Sequence, residues 1–162
     1  MARCAIASYW RVMSRAAKLH LPPSKGWPPA RSLGLFLSRS FRALVQLVRA
    51  RRRFSALTVR QIQALNAHCS GLGLAQGHTQ KSADLAWIAY VLPRVARIMP
   101  FRSDCLVQAL AGQDWLASEG IGSEIVIGVE RPDNGPFGAH AWLKSGDCVV
   151  TGGKIDRYTE IL

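Results

Sequence analysis

The hydrophobic positions of this 162-residue chain change period once, near Gly122, and the change separates a helical part from a strand part. Over residues 32 to 52, Leu33, Phe36, Leu37, Phe41, Leu44, Val45 and Val48 recur at spacings of three and four. This predicts an amphipathic helix with Arg39, Arg42, Arg49 and Arg51 to Arg53 interspersed. Thr58 is placed to cap a short helix through Val59, Ile62 and Leu65, which Gly71 and Gly73 end. Another helix is expected from Ser82 to Met99. Pro93 lacks an amide donor and crowds the preceding turn, so it should kink or split that helix, and Pro100 forces its exit. Ser103 or Asp104 then caps a helix that opens at Cys105 and ends near Gly120.

Beyond Gly122 the apolar residues alternate. Ile125, Ile127 and Val129 share one face of a first strand, and the run Pro132 to Pro136 supplies a turn. Phe137 to Lys144 form a second strand, Ser145-Gly146-Asp147 a tight turn, and Cys148 to Thr151 a third strand. Trp142 is assigned to the face opposite His140 and to the core. Residues 1 to 31, with their proline cluster and no apolar period, read as an irregular basic arm. The organisation expected is therefore an arm over 1–31, a helical region over 32–81 and a domain over 82–162. The fold class is α+β, with N-terminal helices before a core in which the helix opening at Cys105 packs on a small antiparallel sheet.

Charge changes the picture in one respect. Residues 1 to 60 carry 11 Arg, 2 Lys and no acidic residue, a net of +13, whereas residues 61 to 162 carry 8 basic and 10 acidic residues, a net of −2. The basic excess belongs to the N-terminal part, and the rest has the balance of an ordinary globular domain. A basic amphipathic helix can pack one face on the domain and solvate its arginines, or lie on an anionic membrane, or grip an acidic partner. No apolar run reaches the length of about eighteen residues that a transmembrane helix needs. Arg11 interrupts the early apolar run, which argues against a secretory signal. The four cysteines show no C-x-x-C spacing, so neither a zinc site nor a disulfide framework is indicated, and reduced cytosolic thiols are expected.

Candidate chemistry rests on Cys105 and His140. The positive end of a helix dipole lies at its first turn, so a cysteine there is well placed as a nucleophile, and an imidazole on a following strand can accept and return a proton. Taken singly, a cysteine opening an apolar helix is usually packing and a strand histidine usually structural. Their order and flanks favour the catalytic reading. Cys4, Cys69, Cys148, His20, His68 and His78 keep the inert one. The Cys105 backbone amide is the natural first oxyanion donor; Gln108, one turn inside the helix, should point along it, and the second donor is unassigned.

The run Cys105-Leu106-Val107-Gln108-Ala109-Leu110, then Gly120-Ile121, Ile127-Gly128-Val129, Ala139-His140-Ala141-Trp142-Leu143, Val149-Val150 and Tyr158 resembles, in that order, the C-terminal transglutaminase-like domain of lasso-peptide biosynthesis B proteins. The same layout, cysteine on a helix and then histidine on a sheet, is that of papain-like thiol enzymes. The resemblance implies a bacterial cysteine peptidase that removes the leader from a ribosomally made precursor peptide before a separate cyclase closes the ring. With no winged-helix recognition domain apparent in residues 1 to 60, the chain is similar to the split B2 form, whose leader-recognition partner is a separate small protein. Such chemistry needs no cofactor and no metal, and the enzyme would be cytoplasmic, with the basic N-terminal region able to contact a membrane surface.

An aspartate is often found in that family near the residue facing His140, which here is Thr151, Gly152 or Gly153. Asp147 lies at the turn, roughly 13 to 20 Å away at about 3.3 Å per residue. Two arrangements remain: Asp156, just past the third strand, folds back as the third member, or a Cys105–His140 dyad is oriented by a backbone carbonyl. The same thiol layout also serves a thiol acyltransferase or transglutaminase-like enzyme. From another class, the basic N-terminal part suits a non-catalytic peptide-, membrane- or nucleic-acid-binding protein. Little aromatic interleaving accompanies its arginines, so nucleic acid is not an expected partner.

Overall fold

The computed structural model describes residues 33–72, 80–130 and 137–161; the expected arm over 1–31, the ending at Gly73 and the turn at 132–136 lie outside them. Among the described residues four helices precede a four-stranded sheet: α1 (Leu33–Phe54), α2 (Val59–Ser70), α3 (Gln80–Ile98), α4 (Cys105–Ser118), then β1 (Glu124–Glu130), β2 (Gly138–Ser145), β3 (Cys148–Thr151) and β4 (Thr159–Glu160). The sheet is antiparallel throughout, in the order β3-β2-β1-β4. The architecture is the α+β one expected from the change of period.

Local chemistry explains most boundaries. Thr58 precedes α2, and its amide donates to Gln61 Oε1 at 2.8 Å, half of a capping box. Asp104 takes the cap position of α4, its carbonyl accepting from the Gln108 amide at 3.0 Å. Pro93 does not split its helix: α3 runs through it to Ile98. What the proline removes is one amide donor, and with it the usual partner of the Ala89 carbonyl.

Helix α4 is the centre of the molecule. Val107, Ala109, Leu110, Ala111, Trp115 and Leu116 are buried, so it is apolar nearly all round and is covered by α1 and α3 on one side and the sheet on the other. Gly112 lets helix and sheet approach, since a Cβ there would lie 2.7 Å from Leu143 Cδ2. The face that α1 buries is Ala43, Gln46, Leu47 and Ala50, while Leu37 and Phe41 are 57% and 67% exposed. Of the large side chains that set the period, Phe36 packs on the core while Leu37, Phe41 and Leu44 face outward, and Ala43 and Ala50 beside Leu47 make up the buried face.

The arginines of α1 tie the helices together. Arg39 pairs with Asp84 at 2.9 Å and lies over the Trp87 ring, Arg42 reaches Ser118 and Glu119 and lies over Trp115, and Arg53 pairs with Asp114 at 2.8 Å. These three are therefore engaged in packing. At the open edge of β1, Asn66 stands in for a strand: its Nδ2 donates to the Ile125 carbonyl and its Oδ1 accepts from the Ile125 amide, both at 2.8 Å. Gln113 Nε2 donates to the same Oδ1 at 3.0 Å, which satisfies a buried amide between helix and sheet. No helix among the described residues is long and apolar enough to cross a membrane.

Candidate active site

A cleft of about 420 Å³ opens between α3, the start of α4 and β3, and both Cys105 and His140 line it. Ala89 and Pro93 form one wall, Val149 to Gly153 the other, and Gln108 sits beside the cysteine. None of these lining residues carries a formal charge apart from what the thiol and imidazole can acquire. A larger apolar cleft of about 520 Å³, bounded by Arg53, Leu57, Leu65 and His68, holds no nucleophile. The smaller cleft is therefore the one that gathers the candidate chemistry.

Cys105 is the first residue of α4, half-buried and free. The chain enters from an extended Asp104 (φ −62°, ψ 168°), so the amides of the first helical turn precede any intrahelical acceptor and remain available. Cys69, the other free thiol among the described residues, is buried in the last turn of α2. Burial pushes its thiol up, and the charge of Asp114 adds to the effect. Cys148 is disulfide-bonded, against the expectation of reduced thiols.

His140 lies on β2, opposite Gly128 of β1. Its Nε2 stands 2.7 Å from the Gly152 carbonyl oxygen. A carbonyl can only accept, so Nε2 carries the proton of the neutral ring and Nδ1 is the atom left with a lone pair. The Gly152 carbonyl is brought there by two features. A register shift opposite Leu143 and Lys144 bends β3, and Gly152 and Gly153 then take positive φ of 106° and 68°. A Cβ on Gly152 would lie 2.3 Å from Trp142 Cβ, so no other residue fits this path unstrained.

The ring is also held on its face. Tyr158 stacks on His140 with centroids 4.9 Å apart, positioned by a turn in which its amide donates to the Ile155 carbonyl at 3.0 Å. Trp142, expected on the opposite face, is on the same face: residues two apart along a strand share a side, and its ring lies 6.1 Å from the imidazole. Its expected burial in the core does agree with the structure, where it is fully buried.

Asp156 is exposed in the turn after β3, outside the cleft lining, and makes no hydrogen bond or ion pair among the described residues. No hydrogen bond joins the Cys105 thiol to the imidazole among those residues; in unliganded thiol enzymes such contacts commonly tighten only when substrate binds. Gln108 does not point along the helix as expected. Its Nε2 turns back to donate to the Ser103 carbonyl at 2.8 Å. The geometry thus brings together a thiol at a helix start, an imidazole with one nitrogen committed, and an uncharged cleft lined by both. No group of three or more His, Cys, Asp or Glu side chains suited to a metal gathers among the described residues.

Comparison with curated proteins and with solved structures returns no match. A family model described as the transglutaminase-like superfamily matches residues 41–162, about three quarters of the chain, from within α1 through Cys105 and His140 to the end. That extent establishes the family, whose thiol chemistry is of the cysteine-peptidase or acyltransferase type. The chain belongs to the transglutaminase-like superfamily.

Proposed function

We propose that this chain is a cysteine peptidase that removes the leader from a ribosomally synthesised precursor peptide of the lasso type, acting as a B2-like protein with a separate leader-recognition partner and ahead of a separate cyclase. The observation that carries the catalytic part is the shared cleft of Cys105 and His140, with His140 Nε2 bound to the Gly152 carbonyl. The finer assignment to lasso precursors is supported by the ordered segments from Cys105 to Tyr158. An uncharged cleft bounded on one side by an edge strand suits an extended peptide, and β3 is an edge strand.

In this mechanism His140 Nδ1 takes the Cys105 proton as sulfur attacks the scissile carbonyl carbon. The resulting oxyanion is met by the Cys105 amide at the start of α4. The C–N bond then breaks while the imidazolium returns its proton to the leaving amine, and a thioester joins the acyl part to Cys105. Water, deprotonated by the same Nδ1, attacks the thioester; the thiol leaves with that proton and the acid product departs. The Gly152 carbonyl holds the ring and stabilises its charged form in both steps, the task that a carboxylate performs in many triads. Asp156 has no place in this scheme. An amine in place of water at the second step gives acyl transfer, so the identity of the acceptor decides between the two activities of this family.

The test is mass spectrometry of a lasso-type precursor peptide, incubated with wild type or Cys105→Ala, with and without a leader-recognition protein. Wild type should release the leader with the mass of one added water, faster with the partner, and Cys105→Ala should leave the precursor intact. Continued cleavage by purified Cys105→Ala would end the thiol-peptidase reading; a product lighter by that water, joined to an added amine, would replace hydrolysis by transfer.

A further inference from the structure

We propose that the side chain of Gln108 supplies the second hydrogen bond to the oxyanion formed at Cys105. The inference rests on the thiol-enzyme reading above and adds a catalytic residue to it. Gln108 follows Cys105 by three positions, so both project from the same face of α4, and both line the cleft with His140. Its amide nitrogen carries two hydrogens. One is used by the Ser103 carbonyl at 2.8 Å; the side chain makes no other hydrogen bond among the described residues.

The anchoring contact matters because it turns the amide toward the N-terminal end of the helix, where the Cys105 amide also points. A donor held in place before substrate arrives costs no reorganisation when charge develops, and this is what makes oxyanion donors effective. The lining offers little else with an uncommitted side-chain N–H. His140 Nε2 is bound to Gly152, its Nδ1 is needed as the base, and no lysine, arginine or asparagine lines the cleft. The substrate group recognised is a peptide carbonyl as it becomes tetrahedral, so the interaction should appear in turnover rather than in ground-state binding.

Gln108→Met, similar in reach but without N–H groups, is compared with wild type in three measurements. These are leader cleavage, the rate at which iodoacetamide alkylates Cys105, and the thermal melt. Alkylation displaces iodide at a saturated carbon and forms no oxyanion, so it reports the thiol and its position alone. The expected result is a kcat lower by about 10²- to 10³-fold with KM within about threefold, and an alkylation rate close to wild type. A kcat within about threefold of wild type would overturn the proposal. So would alkylation falling in step with kcat, since Gln108 would then merely hold the Ser103 segment and the cysteine in place. Cleavage by the Cys105→Ala control would instead remove the thiol reading itself, which separates the two failures.

Discussion

Cys69 and Cys105 are the same chemical group at opposite ends of two helices, and their surroundings differ in every respect that governs reactivity. Cys69 lies in the last turn of α2, is 4% exposed, and has its thiol pushed above the ordinary value of 9.0 by burial and then by Asp114. Cys105 opens α4, is half-buried, and faces a cleft shared with an imidazole. A helix presents free amides at its first turn and free carbonyls at its last, so negative charge developing on a substrate carbonyl is met by donors beside Cys105 and by acceptors beside Cys69. Cysteine content alone says little about chemistry; the end of the helix and the depth of burial say much more.

The comparison is sharpened most by removing the proposed base. His140→Ala should lower turnover by about 10²- to 10⁴-fold, the usual contribution of a positioned general base, while the melt and the shielding of Cys69 change little. A steady-state rate within tenfold of wild type would mean that the two thiols differ only in exposure. Gly152→Ala attacks the same site through the backbone. The added Cβ would meet Trp142 Cβ at 2.3 Å, and the φ of 106° is unfavourable for alanine, so a stability loss of about 3 kcal/mol is expected, with activity lost as the carbonyl leaves His140. Chemical denaturation of the purified variant measures it, and an unchanged midpoint would show that the 152–153 turn relaxes freely.

How much of this was legible in the sequence depends on which atoms carry the signal. The ends of α2 and α4 and the three longer strands follow from caps, glycines and a period of two, all of which are properties of residue type. The fourth strand, Thr159–Glu160, is two residues long and leaves no period to read. The packing face of α1 was hidden because alanines at 43 and 50 make the contact while the larger Phe41 faces outward. Trp142 and His140 lie two residues apart on one strand, so a period of two already puts them on the same face. The acceptor for His140 is a main-chain carbonyl at Gly152, and a carbonyl has no side-chain signature; the paired glycines were the available hint. Gln108 turns back because the Ser103 carbonyl lies within its reach, a contact that depends on the path of the loop before α4.

Smaller effects test the other half of the comparison. The raised thiol of Cys69 contributes stability that is fully present below 9.0 and is lost as pH rises through its folded-state value, because the unfolded chain ionises first. Cys69→Ala should therefore cost about 1 kcal/mol near neutrality, and the difference from wild type should shrink in melts run at progressively more alkaline pH. A constant difference across that range would remove the burial argument. Smallest of all is Asp156→Ala, expected to leave turnover within about twofold of wild type, since this exposed carboxylate touches nothing in the cleft. A loss of tenfold or more in the same cleavage assay would restore it as the group that orients His140.

The most direct test of the central claim, that Cys105 is the nucleophile of this site, is timed alkylation of the native protein with iodoacetamide near neutral pH. Peptide mapping of the adducts is run alongside residual leader cleavage. Cys105 should be modified first, activity should fall in proportion to that modification, and Cys69 should remain unlabelled until the protein unfolds. Cys69 reacting as fast as Cys105, or cleavage persisting after Cys105 is fully modified, would contradict the account.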